Sequence, residues 1–329
     1  MNNNQAIPRI QSSSRVQPTP PPPTIMAPVI VFGPTGNIGS ITALTASEQG
    51  ATVILAMRDT KKPIPGLSAS KEASGNFKRV QADLTDPTSV ATAVTSTGAK
   101  RAYLYLAHGS PDHMRSTLEA LKSAGIEFVV FLSSFTIGGD PAAVTPDNLI
   151  SFIHAQVELG LAAVFGLGNF VAMRPGAFAT NILRYKSGIQ AGQLPLFGAD
   201  FEHDCITPHD MGRVGGTLLV SGPKNGEQVV YLYGPKFLAM GECSTIVAKV
   251  LGHDLQITLQ APEDAVAYFT QLTGRKHLAE FLVDSMAKGN DRDAFVNNKE
   301  GVANVEKYTG TPSLGFEEWV KANLELWSS

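Results

Sequence analysis

The sequence has little of what would tie it to a specialised class. Cysteine is scarce: Cys205 and Cys243 are the only two in 329 residues, and their spacing matches no metal site. They read as small core residues of a reducing compartment, and no metal is expected. A surplus of positive charge is missing as well. With 26 Lys and Arg against 29 Asp and Glu, the net charge of −3 offers no footing for nucleic acid or an acidic membrane. No apolar run approaches the roughly 18–20 residues that cross a bilayer, and there is no secretory h-region. The expectation is a soluble, cytoplasmic protein, monomer or homodimer, without nucleic-acid or membrane partners. At this length roughly three quarters of the unfolded surface is buried on folding, so a core can hold the chain without cross-links.

What is present begins with a tail. Residues 1–27 carry Asn2-Asn3-Asn4, Ser12-Ser13-Ser14 and Pro18-Thr19-Pro20-Pro21-Pro22-Pro23 with little apolar content. Such a segment cannot bury enough surface to offset chain entropy, so a disordered, solvated tail is expected. Next comes Val29-Ile30-Val31-Phe32-Gly33-Pro34-Thr35-Gly36-Asn37-Ile38-Gly39, an apolar strand pattern running into GxxGxxG. Gly33 permits the tight turn, Gly36 lets the backbone approach a pyrophosphate, and Gly39 lets the following helix pack closely. The N-terminal amides and dipole of that helix face the negative charge. Thr35, Asn37 and Ile38 belong to the same cradle.

Strands and helices then alternate. Strands are expected at Val29–Phe32, Ala51–Met57, Phe77–Gln81, Arg101–Ala107, Glu127–Leu132 and Asn169–Met173. Helices are expected at Asn37–Gln49, Pro87–Ser96, Pro111–Ser123 and Asp147–Phe165. Short strands that are almost wholly apolar suit a parallel sheet covered on both faces, so the pattern predicts a doubly wound α/β fold. Beyond Arg174 the rhythm loosens. Val229–Tyr233 and Gln256–Gln260 read as strands, and Gly241–Leu251, Ala265–Thr273, Lys276–Ala287 and Phe316–Trp327 as helices. The expected division is a dinucleotide-binding domain over 28–175 and a substrate-binding lobe over 176–329, interleaved with the sheet.

Seven segments in this order resemble the NmrA-like branch of the atypical short-chain dehydrogenase/reductases, over nearly everything from Pro28 to about Pro262. They are Gly33–Gly39, Met57-Arg58-Asp59, Ala82-Asp83-Leu84-Thr85-Asp86, Phe131-Leu132-Ser133-Ser134-Phe135, His154-Ala155-Gln156-Val157-Glu158, Met173–Asn181 and Ile206–Gly212. The resemblance implies a Rossmann fold and a bound dinucleotide. It also implies reduction of a hydrophobic small molecule, often in specialised metabolism.

The residue types at the strand ends argue for NADP(H). An acid at the end of the second strand suits the ribose 2′-hydroxyl of NAD, whereas a 2′-phosphate calls for an arginine. Arg58 stands there with Lys61 and Lys62 beyond it, and a guanidinium forks onto phosphate oxygens. Asp59 counts against this unless it points away. The resemblance places Asp83-Leu84 at the adenine and Ala107-His108 near the nicotinamide ribose. Asp86 is suited to cap the next helix, and Asp83 is an alternative cap.

The tyrosine–lysine pair that moves the proton in typical short-chain dehydrogenases is missing. None of the seven tyrosines has a lysine four residues on, and Ala142 to Glu158 holds neither type. In its place stand Ser133 and Ser134 at a strand end, and His154 with Glu158 one helical turn on, within reach of an ion pair. His154 either relays a proton or binds ribose, or is a packed helix histidine with an acid partner. Ser133 and Ser134 are cofactor or substrate contacts, or capping hydroxyls. Pro175 and Gly176 are expected to wall the nicotinamide, with Phe135, Phe178, Asn181, Tyr185, Phe197 and Phe201 lining an aromatic substrate pocket. His203, His209 and Asp210 have no metal-site spacing, and Asp210 reads as a helix cap.

Three functions fit these residues. One is an NADPH-dependent reductase of a carbonyl, activated C=C or iminium, working without the dyad. Another is a redox-sensing regulator that binds NADP(H) and a protein partner without turnover. The third is a cyclase or isomerase on the same fold.

Overall fold

The computed structural model describes residues 27–289, 292 and 295–328. The expected tail, 1–27, lies outside the described residues but for its last position. Along the chain come β1 (Val29–Phe32), α1 (Asn37–Glu48), β2 (Val53–Met57), α2 (Ala69–Ser74), β3 (Phe77–Gln81) and α3 (Pro87–Thr97). Then follow β4 (Arg101–Tyr105), α4 (Arg115–Ser123), β5 (Phe128–Leu132), α5 (Leu149–Phe165) and β6 (Phe170–Pro175). The later part holds α6 (Lys186–Gln190), β7 (Gln193–Leu196), β8 (Glu202–His203), α7 (Pro208–Ser221), β9 (Val229–Leu232), β10 (Leu238–Ala239) and α8 (Met240–Leu251). It ends with β11 (Gln256–Leu259), α9 (Pro262–Thr273), α10 (Lys276–Ala287), α11 (Asn298–Thr309) and α12 (Phe316–Ala322). No described helix is long and apolar enough to cross a membrane.

Seven strands form one parallel sheet in the order β3-β2-β1-β4-β5-β6-β9. Successive side chains of a strand point to opposite faces, so the apolar strands feed two cores. Ile30, Phe32, Ile54 and Ala56 pack on the side of α3, α4 and α5. Val29, Val31, Val53 and Leu55 pack on the side of α1, α7 and α11. A third core, from Ala179 to Trp327, belongs to the later elements. The strand order reverses between β1 and β4, which opens a crevice beyond their carboxyl ends.

Several boundaries differ from the reading of the sequence. Helix α4 starts at Arg115 rather than Pro111, because His113 and Met114 take left-handed backbone angles. The last expected helix ends at Ala322 and continues as a 3-10 turn over Leu324–Trp327. Of helix α7 the sequence marks only a start capped by Asp210 and no span, since Gly212, Gly215 and Gly216 weaken helix propensity. Packing decides otherwise: a Cβ on Gly212 would lie 2.5 Å from Ile41 of α1, so these glycines let two helices approach closely. Asp210 is not the cap. Thr207 caps α7, accepting from the Asp210 amide, while the buried Asp210 carboxylate accepts from Ser313 and the Leu314 amide.

One charged pair is sealed into the sheet's carboxyl end. Arg174 on β6 and Glu158 on α5 are 2% and 3% exposed and meet through two bonds, 2.7 and 3.0 Å long. Arg174 also donates to the Gly139 carbonyl and to the Tyr231 hydroxyl, and Ser133 donates to Glu158 at 2.5 Å. Removing one partner strands the other charge away from water. Glu158→Gln is therefore expected to lower the unfolding free energy by about 3–5 kcal/mol in urea denaturation. Lys78→Gln on the exposed edge of β3 should stay within about 0.5 kcal/mol. A Glu158→Gln loss below about 1 kcal/mol would mean that the site relaxes around the free guanidinium.

Candidate functional site

The turn after β1 makes an anion cradle out of backbone. Gly33 sits at φ +71°, and a Cβ on Gly39 would lie 2.3 Å from the Gly33 carbonyl oxygen, so glycine is required at both. Helix α1 begins with Gly36 as its cap, no side chain bonds to its first amides, and its first turn holds no acid. Those amides and the positive end of the helix are thus left for a ligand's negative charge. Gly33, Thr35, Gly36, Asn37, Ile38 and Gly39 line this hollow, about 380 Å³ in volume, together with Tyr105. A dinucleotide fits a cradle of this kind, because any side chain at Gly33 or Gly39 would fill it.

Beside the cradle lie the ends of β2 and β3. Arg58 and Lys62 are exposed, and neither side chain has a hydrogen-bond partner among the described residues. Asp59 points away, its carboxylate accepting from the Lys61 amide inside its own turn. Arg79 is not available, since it pairs with Glu72 and with the Thr60 and Lys62 carbonyls. Asp83 accepts from the amide and hydroxyl of Thr85, which holds its carboxyl below the usual range, with Arg58 adding to the effect. Asp86 caps α3, so Asp83 is not the helix cap. Leu84 is buried in the core, its carbonyl taken by Thr117.

Across the crevice the sheet meets a cavity of about 1120 Å³, lined by His108, Ser133, Ser134, Phe135, His154, Gly176, Phe178, Asn181 and Phe201 among others. Ala107 and Pro175 lie buried behind this wall. Ser133 spends its hydroxyl on Glu158, whereas Ser134 caps the 3-10 turn Phe135–Ile137 and bonds Thr136 at 2.9 Å. The expected His154–Glu158 pair does not form, because Glu158 turns inward to Arg174. His154 Nδ1 instead bonds the Ile150 carbonyl at 2.8 Å, so that nitrogen carries the proton and Nε2 is an acceptor. Burial holds the His154 imidazole below its ordinary value, and His108 is lowered by burial and by Arg275.

Gly176 has a reason that the sequence does not show. A Cβ there would lie 2.3 Å from the Asp204 carboxylate, which accepts from the Ala177 and Gly234 amides and ties the ends of β6 and β9 together. Phe135, Phe178, Asn181 and Phe201 line the large cavity, and Tyr185 lines a second, about 400 Å³, behind it. Phe197 borders neither; it packs against the third core. Phe178 stands in the walls of both cradle and large cavity, so the two adjoin.

Comparison with known proteins decides the kinship. A family profile described as NAD(P)H-binding matches residues 33–162. The nitrogen metabolite regulation-like protein bik4 of Gibberella fujikuroi is 34% identical over 317 residues, spanning 90% of this chain and 96% of its own. The chain belongs to the NmrA-like family. Among solved structures, this NmrA-like chain resembles an NADPH-dependent quinone oxidoreductase of Escherichia coli, with 19% identity, TM-score 0.67, and 90% and 99% of the two chains covered. It also resembles the triphenylmethane reductase of Citrobacter sp. complexed with NADP(H), with 15% identity, TM-score 0.68, and 89% and 99% covered. Likeness at such identity carries the fold and not the chemistry.

Some residues of this site were missed. Tyr105 ends β4, is 40% exposed and lays its ring on Gly33; its strand-end position was a usable signal. Phe237, Arg275 and Phe295 reach the NmrA-like cavity from distant parts of the lobe, and nothing local marks them. His203, set aside as a failed metal ligand, lines both cavities. Burial and the Arg184 charge push its imidazole down to about 4. The unfolded chain takes a proton there near pH 6.5 while the fold resists it. This contribution to stability is complete above about pH 6.5 and is lost as pH falls through 4. Between pH 7 and 4, wild type should lose about 2–3 kcal/mol more unfolding free energy than His203→Leu. Equal acid sensitivity of the two proteins would place the ring in water.

Proposed function

We propose that this protein is an NADPH-dependent reductase of a hydrophobic small molecule carrying an electrophilic carbonyl, activated C=C or iminium carbon. The observation that carries the reading is the adjacency of a phosphate cradle and a large aromatic cavity, with Phe178 in the wall of both. Gly33–Gly39 would hold the pyrophosphate, Arg58 and Lys62 the 2′-phosphate, and Asp83 the adenosine edge. Bound NADPH supplies a hydride. The structural neighbours named as reductases of a quinone and of triphenylmethane compounds support this choice.

The protein's own part is orientation and exclusion of water. His154 offers Nε2 as an acceptor for a hydroxyl, while burial disfavours the imidazolium that could donate a proton. Ser134 is the one cavity hydroxyl at the strand end not committed to the buried ion pair. Such a site suits substrates that accept hydride with little acid catalysis, their proton coming later from water.

A second reading is favoured by the relative's name: a regulator that binds NADP(H) and a protein partner without turnover. Loss of NADPH absorbance in a panel of quinones, enones and iminium compounds, at rates well above the no-protein control, is the expected result. Cofactor binding with no turnover anywhere in the panel, together with cofactor-dependent capture of a partner, would favour the regulator. For the cofactor, Arg58→Ala should weaken NADPH binding about ten- to hundred-fold by calorimetry, the loss of a charge-assisted contact. NADH affinity should stay unchanged, and an unaltered NADPH affinity would remove Arg58 from the site.

A further inference from the structure

The large cavity continues past the reactive edge. Phe135, Asn181, Phe201 and His203 belong to its wall and equally to that of the second chamber, which runs on to Arg184. Together the chambers offer about 1120 and 400 Å³, more than a single-ring electrophile fills beside a nicotinamide. Their walls are aromatic in a set geometry. Phe135 stacks on Phe295 with centroids 4.5 Å apart, and Phe237 meets Phe295 edge-on at 4.8 Å. Flat ring systems gain most against such faces.

Where the two chambers join sits a polar group with no assignment. The His203 ring meets Phe201 edge-on at 5.1 Å, and neither ring nitrogen has a hydrogen-bond partner among the described residues. Burial keeps the ring neutral, so it presents one N–H and one lone pair to the cavity. Arg184 beside it uses Nε on the Asn181 carbonyl at 2.8 Å. The ring is half-buried and lines both chambers, so an oxygen on a ligand there would take up its open hydrogen-bonding position.

We propose that the substrate is an extended, fused-ring aromatic whose remote hydroxyl or carbonyl oxygen is hydrogen-bonded by His203 in the second chamber. The electrophilic carbon then lies at the Ser134–His154 edge, a part of the inference that rests on the reductase reading. His203 is a specificity residue: it selects a ring oxygen at a fixed distance from the reacting end and takes no part in hydride transfer.

The test uses the full chain saturated with NADP+, so that nothing turns over, titrated with 2-hydroxyanthraquinone and 2-methylanthraquinone. The hydroxyl compound should bind wild type at least ten-fold more tightly than its methyl analogue. His203→Leu should erase that preference to within two-fold, and His203→Gln, which keeps a donor and an acceptor, should recover most of it. NADP+ affinity should be the same in all three proteins, which also reports that they are folded. Equal binding of the two probes to wild type, binding of neither, or a preference kept in His203→Leu would overturn the proposal. The expected binding pattern without NADPH consumption by any compound would sink the reductase reading and still support the His203 contact.

Discussion

Everything at the carboxyl end of this sheet leans on the ion pair between Glu158 and Arg174. It joins α5 to β6, and through Arg174 it reaches Tyr231 on β9 and the Gly139 carbonyl in the segment after β5. Ser133 at the end of β5 is bonded to the same carboxylate. Two charges taken out of water repay their desolvation only when geometry is good and the remaining donors are used. Here the guanidinium serves a carboxylate, a carbonyl and a phenol at once. The pair therefore sets where three strand ends and the Ser134–Phe135 segment lie, and so the shape of the cavity floor.

A second buried carboxyl works alongside it. Asp204 accepts from the amides that follow β6 and β9, and its burial raises the carboxyl to about 7 even though those bonds favour the charged form. Backbone–carboxyl contacts thus hold this part of the cavity wall, whose lining mixes aromatic rings and histidines with the cations Arg275, Lys276 and Arg292. Burial disfavours protonation of His108, His154 and His203 in its wall, so these three are suited to orient a ligand by single hydrogen bonds rather than to deliver protons.

Much of the architecture was legible because it depends on local pattern. Apolar runs with glycine turns marked most of the first six strands, Phe77–Gln81 being the polar exception, and Asp86 was readable as the cap of α3 from its place before a proline. The GxxGxxG cradle was readable because Gly33 takes a positive φ and Gly39 packs on the Gly33 carbonyl, both demands local to the turn. The exposed place of Arg58 just past β2 was readable from its distance to a strand end. Helix α7 was hidden by glycines whose value appears only against α1. Glu158 was expected to pair along its own helix with His154, but α5 presents it inward, where β6 supplies a stronger partner.

The chain's order of strands, turns and caps by itself determined the doubly wound sheet and the cradle, since periodicity and steric freedom act over a few neighbours. Only the tertiary structure decided which polar groups are spent and which are free. Glu158 is consumed by Arg174 and Ser133 by Glu158, Gly176 makes room for Asp204, and His203 is left facing a cavity. Those outcomes come from contacts between residues more than a dozen positions apart, where burial, and not residue type, sets what a side chain can still bind.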